Sequence, residues 1–204
     1  MRSDPISRRA ALAFGMSLAL GMSVAVSAGG PAWAQAATSP LRIGIVGAGN
    51  IGGTLGGLWA KAGHAVMLSS RHPEELKALV ESLGPRARAG TPAEAIAFGD
   101  VVLIAVPYKA YPQIAQDYGP ALQGKIVIDA GNATQARDGE VYGEVKENGI
   151  AAVSAKYLRG ARIVRGFNAA NYRVFVKNAH REGPGWRFPS RATTPRPSPW
   201  WRDS

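Results

Sequence analysis

Short apolar runs rich in β-branched residues alternate with stretches of helical periodicity along most of this 204-residue chain. That alternation predicts an α/β fold, a doubly wound parallel sheet with right-handed crossovers. A second observation agrees: a glycine-rich turn at residues 47–52 joins the first apolar run directly to the first helical stretch. A third is the 25 glycines and the hydrophobic content of 46%, enough for many tight turns and a packed core.

The elements follow in order. Leu41-Arg42-Ile43-Gly44-Ile45-Val46 reads as a buried strand, and a helix follows with Leu55, Leu58 and Trp59 at helical spacing and Gly63 as its stop. Ala65-Val66-Met67-Leu68 is the second strand, and Pro73 to Leu83 reads as a helix with Glu74 and Glu75 in its first turn. Thr91-Pro92-Ala93-Glu94 has the form of a capping box with proline at the first helical position, opening a short helix to Phe98. Asp100 to Val106 is the clearest buried strand; Pro107-Tyr108 ends it, and a helix is expected around Tyr111 to Asp117. Lys125 to Ala130 is another strand, closed by a Gly131-Asn132 turn, and Arg162 to Phe167 is a further one, opening into Asn168-Ala169-Ala170-Asn171. Ligands of such sheets lie beyond the carboxyl ends of the strands, which places Val106-Pro107, residues 130–132 and Phe167-Asn168 along one edge.

Gly47-Ala48-Gly49-Asn50-Ile51-Gly52 is a G-x-G-x-x-G between a strand and a helix, the context that gives this weak motif its meaning. The first glycine permits the tight turn, the second lets backbone approach a pyrophosphate, and the third lets helix and strand pack closely. Amides at the helix start would then face phosphate oxygens. The reading is a Rossmann-type domain for a nicotinamide dinucleotide. The end of the second strand selects the form: NAD sites place a carboxylate there, whereas this chain has Ser69-Ser70-Arg71 and no acid until Glu74. Hydroxyls and a guanidinium suit a 2′-phosphate, so the expected cofactor is NADP. His72 stands beside them and equally suits a turn before Pro73.

Composition removes other classes. There is no cysteine, which excludes disulfides, thiolate catalysis and cysteine metal sites, and His64, His72 and His180 are too scattered to suggest a ligand pair. The net charge of +10 is spread along the chain. Residues 1–40 hold Arg2, Arg8 and Arg9 against Asp4, and residues 183–204 hold Arg187, Arg191, Arg196 and Arg202 against Asp203, leaving 17 basic and 12 acidic residues between them. No basic stripe with interleaved aromatics occurs there, so no nucleic-acid partner is expected.

The ends differ from the middle. Residues 1–34 have the layout of a signal peptide: Ser7-Arg8-Arg9, an apolar stretch from Ala10 to about Ala28, and Ala32-Trp33-Ala34 as cleavage site. The paired arginines point to the twin-arginine export machinery and a periplasmic or otherwise exported location. The alternative, a membrane anchor, is disfavoured by Gly15, Ser17, Gly21, Ser23 and Ser27, which weaken the apolar stretch, so no permanent membrane span is expected. Residues 35–40 form a linker, 41–183 the dinucleotide domain with the start of a small second domain, and 184–204 an irregular basic tail. That tail is either a partner- or membrane-binding extension or an out-of-frame segment. The second reading is favoured because Trp200-Trp201 fixes TGGTGG, and a single frame shift from Gly185 onward permits VAVPLAGDDPEALAVVARQ, a strand, an acidic turn and an amphipathic helix. The small C-terminal domain would then be incomplete, and the apolar surface it leaves would favour association, as a homo-oligomer, or aggregation.

Residues 43–52, Ser69-Ser70-Arg71-His72-Pro73-Glu74, Ala105-Val106-Pro107-Tyr108 and Val164-Arg165-Gly166-Phe167-Asn168-Ala169 resemble, in order, the blocks of the NADPH-dependent deazaflavin (coenzyme F-420) reductase family. The resemblance spans Leu41 to about Gly183. It implies that residues 48–51 line the pyrophosphate, Ser70 and Arg71 the 2′-phosphate, and Val106, Pro107 and Asn168 the nicotinamide side. Gly131-Asn132-Ala133 departs from the Asn-Pro common in the family. The implied reaction is hydride transfer between nicotinamide and a small-molecule redox acceptor, a deazaflavin or other ring or quinone type. The alternatives are a non-catalytic NADP-binding remnant and a basic adaptor acting through its tail. Hydride transfer needs no acid–base residue, so none is assigned; Asp129 and Lys109, the two tempting candidates, sit at strand ends where structural or solvated roles are commoner.

Overall fold

The computed structural model describes residues 39–179, so the expected signal peptide, most of the linker and the basic tail lie outside the described residues. Six strands form one parallel sheet in the order β3-β2-β1-β4-β5-β6. From β1 (Arg42–Val46) the chain runs through α1 (Asn50–Lys61), β2 (Ala65–Ser69), a 3-10 turn (Pro73–Leu76), α2 (Lys77–Leu83) and β3 (Ala87–Gly90) to one edge. It returns by α3 (Pro92–Phe98) to β4 (Val101–Ile104), then a 3-10 turn (Tyr108–Ala110), α4 (Tyr111–Leu122) and β5 (Ile126–Asp129). The chain finishes with α5 (Gln135–Asn148), α6 (Ile150–Tyr157), β6 (Arg162–Arg165) and α7 (Tyr172–Asn178). The direction of winding reverses between β1 and β4, and a crevice opens there beyond the strands' carboxyl ends.

Both faces of the central strands are buried, which is why their sequences read as continuous apolar runs. Ile43 and Ile45 of β1 and Leu103 of β4 join Val66, Leu68 and Leu55 in one core. Val46, Val102 and Ile104 point the other way, into a core with Tyr108, Tyr111, Ile114 and Val153. Gly44 lets α3 lie close on β1: a Cβ there would stand 1.9 Å from the Ala95 carbonyl oxygen. The capping box forms as the sequence predicts, with the Glu94 amide donating to Thr91 Oγ1 (3.3 Å) and the Thr91 amide to Glu94 Oε2 (2.7 Å).

Three elements were not anticipated. The edge strand β3, Ala87-Arg88-Ala89-Gly90, has no apolar run because only one neighbour and few core contacts select its side chains. Helices α5 and α6 occupy the interval after Asn132; α5 is polar and interrupted at Gly139 (φ 50°, ψ −123°), which blurs its periodicity. Four predicted strands are also shorter than expected: Leu41 precedes β1, Asp100, Ala105 and Val106 flank β4, Lys125 and Ala130 flank β5, and Gly166 and Phe167 follow β6. Phe167 takes a left-handed φ of 62°, held with its ring edge-on to Trp59 (5.8 Å) and Phe175 (5.6 Å). Among the described residues no helix is long and apolar enough to cross a membrane.

Candidate dinucleotide site

Strand register sets the site's floor. Val46 pairs with Ser69 and Ile104, Ile104 with Asp129, and Asp129 with Arg165, so the carboxyl ends lie in one row. The turn from β1 into α1 rises from this row, and its three glycines answer to different demands. Gly47 has φ 100°, and a Cβ there would meet the Ala105 carbonyl oxygen at 2.7 Å. Gly52 packs its Cα against the turn itself: a Cβ would stand 1.9 Å from the Gly47 carbonyl oxygen. Gly49 has φ −70°, and nothing lies within 4 Å of where its Cβ would be. Neither the backbone nor a neighbour requires glycine at 49, so the space it leaves open is available to a ligand. Helix α1 begins here without a side-chain cap or an acid in its first turn, leaving its first amides and dipole to an anion.

Two cavities flank the glycine turn and share Gly49, Val106 and Pro107. The first, about 560 Å³, is also lined by Gly47, Ala48, Ser69, Ser70, Arg71, Leu76 and Pro92. It therefore gathers most of the predicted adenosine-side residues. Ser69, however, is fully buried and its hydroxyl donates to the Ile45 carbonyl (2.8 Å), so it ties β2 to β1 and has no proton left for a phosphate. Ser70 Oγ accepts from the His72 amide (3.1 Å), which leaves its proton free to donate. Arg71 is exposed and forms no ion pair among the described residues. Glu74, the first acid after β2, faces His72 at 3.4 Å.

The second cavity, about 480 Å³, is lined by Asn50, Ile51, Ala130, Gly131, Asn132, Arg137, Asn171 and Tyr172 besides the shared residues. Its wall at residues 130–132 is fixed by a buried network. Asp129, fully buried, accepts from the Tyr111 hydroxyl (2.5 Å), the Gly131 amide (2.8 Å), the Ser154 hydroxyl (2.6 Å) and the Arg165 guanidinium. Arg165 Nη2 also donates to the Gly131 carbonyl (2.8 Å). Burial, with the adjacent Asp129 charge, pushes the Tyr111 hydroxyl above its ordinary pKa, and burial pushes Tyr108 up to about 12. With every lone-pair direction engaged, Asp129 is a structural anchor, as its strand-end position suggested.

Asn168, predicted on the nicotinamide side, lines neither cavity; its carbonyl accepts from Asn132 Nδ2 (2.6 Å). The residue of that loop at the cavity is Asn171. Gly52 likewise lines neither cavity and serves packing. Sequence reasoning missed Arg137 and Asp138. The Asp138 carboxylate has no exposed surface and accepts from the Thr134 amide (2.7 Å), the Lys109 amide (3.0 Å) and Arg137 Nε (3.1 Å). It thus joins the loop after β4 to the loop after β5. Burial alone would raise its pKa, but Arg137 and the two amides hold it down at about 2. The signal was an Arg-Asp-Gly triplet in the first turns of the segment that follows β5, now α5. Among the described residues no group of three or more His, Cys, Asp or Glu is placed to hold a metal ion.

Comparison with known proteins agrees with this geometry. Residues 42–133 match the family model described as NADP oxidoreductase coenzyme F420-dependent, a span that includes the glycine turn, residues 69–71 and Val106-Pro107. The match covers residues 42–133 of the 204-residue chain and says what this segment is similar to. A hypothetical protein from Sinorhizobium meliloti is similar at 26% identity and a TM-score of 0.56, over 70% of this chain and 68% of that one. A structure from Arthrobacter sp. FB24, described provisionally as an F420-dependent NADP-reductase, is similar at 19% identity and a TM-score of 0.53, over 70% and 69% of the two chains; at that identity it speaks for the fold alone. No curated protein matches the chain.

Proposed function

We propose that the chain is an NADP-dependent oxidoreductase that passes a hydride between the nicotinamide and a small ring acceptor of deazaflavin or quinone type. The observation that carries the reading is the open volume at Gly49 before the uncapped start of α1. A Cβ there would meet no protein atom within 4 Å, so packing within the chain does not demand glycine at this position. Supporting the choice of NADP, the turn after β2 offers the Ser70 hydroxyl and the Arg71 guanidinium, which pairs with no carboxylate among the described residues, and turns its nearest carboxylate toward His72. When bound, NADPH supplies a hydride from nicotinamide C4, two electrons in all, which reduces the acceptor and leaves NADP+.

The chain's own residues then bind and orient. The amides of Asn50 and Ile51 face the pyrophosphate side, Ser70 and Arg71 hold the 2′-phosphate, and Val106 with Pro107 separates the two cavities and positions the ring. Asp129 serves as a structural anchor, its two oxygens engaged by four donors. Titration of the protein's fluorescence with NADPH and NADH, followed by turnover assays with deazaflavin, flavin and quinone acceptors, tests the reading. Tight NADPH binding with turnover supports it; NADPH binding without turnover on any of them leaves a binding protein instead. We also propose export through the twin-arginine pathway, on the strength of Ser7-Arg8-Arg9 and Ala32-Trp33-Ala34.

A further inference from the structure

We infer that Arg137, held rigid by buried Asp138, is the residue that recognises an oxygen of the hydride acceptor in the second cavity. This rests on the function proposed above and deepens it by naming the group that selects the acceptor.

The first observation is the chemistry of the lining. Asn50, Asn132, Asn171, Tyr172 and Arg137 supply hydrogen-bond donors around the 480 Å³ cavity, and no carboxylate lines it. Such a wall suits a ligand that presents oxygen acceptors, a ring carbonyl or an anionic oxygen. A volume in this range accommodates a ring ligand beside the nicotinamide end of a dinucleotide.

The second observation is how Arg137 is held. Nε donates to both Asp138 oxygens (3.1 Å each), and Nη2 donates to Asp138 Oδ2 (2.9 Å) and to the Asn132 carbonyl. Nη1 has no partner among the described residues, although the side chain is 45% exposed and lines the cavity. Two of three nitrogens are therefore spent on fixing the plane, and the third keeps its two N–H groups for a ligand. A guanidinium so anchored loses little freedom on binding, unlike a free surface arginine.

The third is what the anchor is built from. Asp138 is fully buried and takes backbone amides from Thr134 and Lys109, one from each loop that walls the cavity. A buried carboxylate is costly unless its bonds are all made, and here they converge on orienting one side chain at the cavity. The first cavity does not include Arg137, so the adenosine half of the cofactor does not meet it.

The test uses the full chain and a defined probe, 9,10-anthraquinone-2-sulfonate, titrated by calorimetry into protein saturated with NADP+, where no hydride is available. NADPH affinity is measured in parallel by fluorescence. Arg137→Met is expected to weaken the probe about tenfold or more, the size of a lost hydrogen bond to a charged donor, while NADPH affinity stays within about twofold. Arg137→Lys, which keeps the charge and loses the planar fork, is expected to fall between the two. The neutral 2-(hydroxymethyl)anthraquinone should lose less than the sulfonate in both variants. Unchanged probe affinity in Arg137→Met, or no probe binding by the wild type, overturns the inference alone. A parallel loss of NADPH affinity overturns it too, by making Arg137 part of the cofactor site or of the fold. Failure of the wild type to bind NADPH overturns the parent reading, and this one with it.

Discussion

Gly49 and Gly52 belong to one motif yet face opposite constraints. Gly52 is enclosed by the turn it closes, so Gly52→Ala forces backbone apart and should cost on the order of 2 kcal/mol or more in stability, read as a lowered midpoint of urea unfolding. Gly49 borders open space at an ordinary backbone angle. Gly49→Ala should leave the unfolding midpoint nearly unchanged and still weaken NADPH binding, because the added methyl enters the volume assigned to the pyrophosphate. Arg71 provides the second residue-level contrast. Arg71→Ala should weaken NADPH by about tenfold to a hundredfold, the worth of a charge-assisted phosphate contact, and leave NADH within about twofold. Parallel loss of both cofactors would place Arg71 away from the 2′-phosphate.

At the scale of elements, the strands that cross the middle of the sheet were legible because burial on both faces demands unbroken apolar runs at residues 43–46, 101–104 and 126–128. The glycine turn and the Thr91 cap were legible because specific residue types are needed there. Strand β3 was not, since an edge strand packs too little to select its side chains, and α5 was not, because its polar surface and the break at Gly139 erase the period. The site divides the same way: residues 47–51, 70–71 and 106–107 reach the cavities, Ser69 lines the first with its hydroxyl spent on tying β2 to β1, Asn168 holds a loop in place, and Arg137 with Asp138 had gone unread. The two struts that tie these loops together carry predictions. Arg165→Met strands the buried Asp129 carboxylate and should cost about 3–5 kcal/mol, seen in chemical denaturation. For Asp138, the folded pKa near 2 lies below its ordinary 3.8, so its contribution is complete above pH 4 and is lost as pH falls toward 2. The stability gap between wild type and Asp138→Asn should therefore narrow across pH 4 to 2; a constant gap would contradict the anchoring role.

For the whole molecule, the net charge of +10 does not concentrate into a basic face in the sequence, and the cations that reach the crevice, Arg71, Lys109 and Arg137, suit a polyanionic cofactor and an oxygen-bearing acceptor. The proposed route out of the cytoplasm has its own check: residues 1–34 fused to a folded reporter should export it, and Arg8→Lys with Arg9→Lys should abolish export. The central claim is that the crevice at the β1/β4 reversal holds NADP. Its most direct measurement is the pair of dissociation constants for NADPH and NADH, taken on wild type and Gly49→Ala. The account predicts NADPH binding at least about tenfold tighter than NADH, as expected if a 2′-phosphate finds its guanidinium and hydroxyl, with that binding lost in the variant at unchanged stability. Equal affinity for the two cofactors, or undiminished NADPH binding by Gly49→Ala, would contradict it.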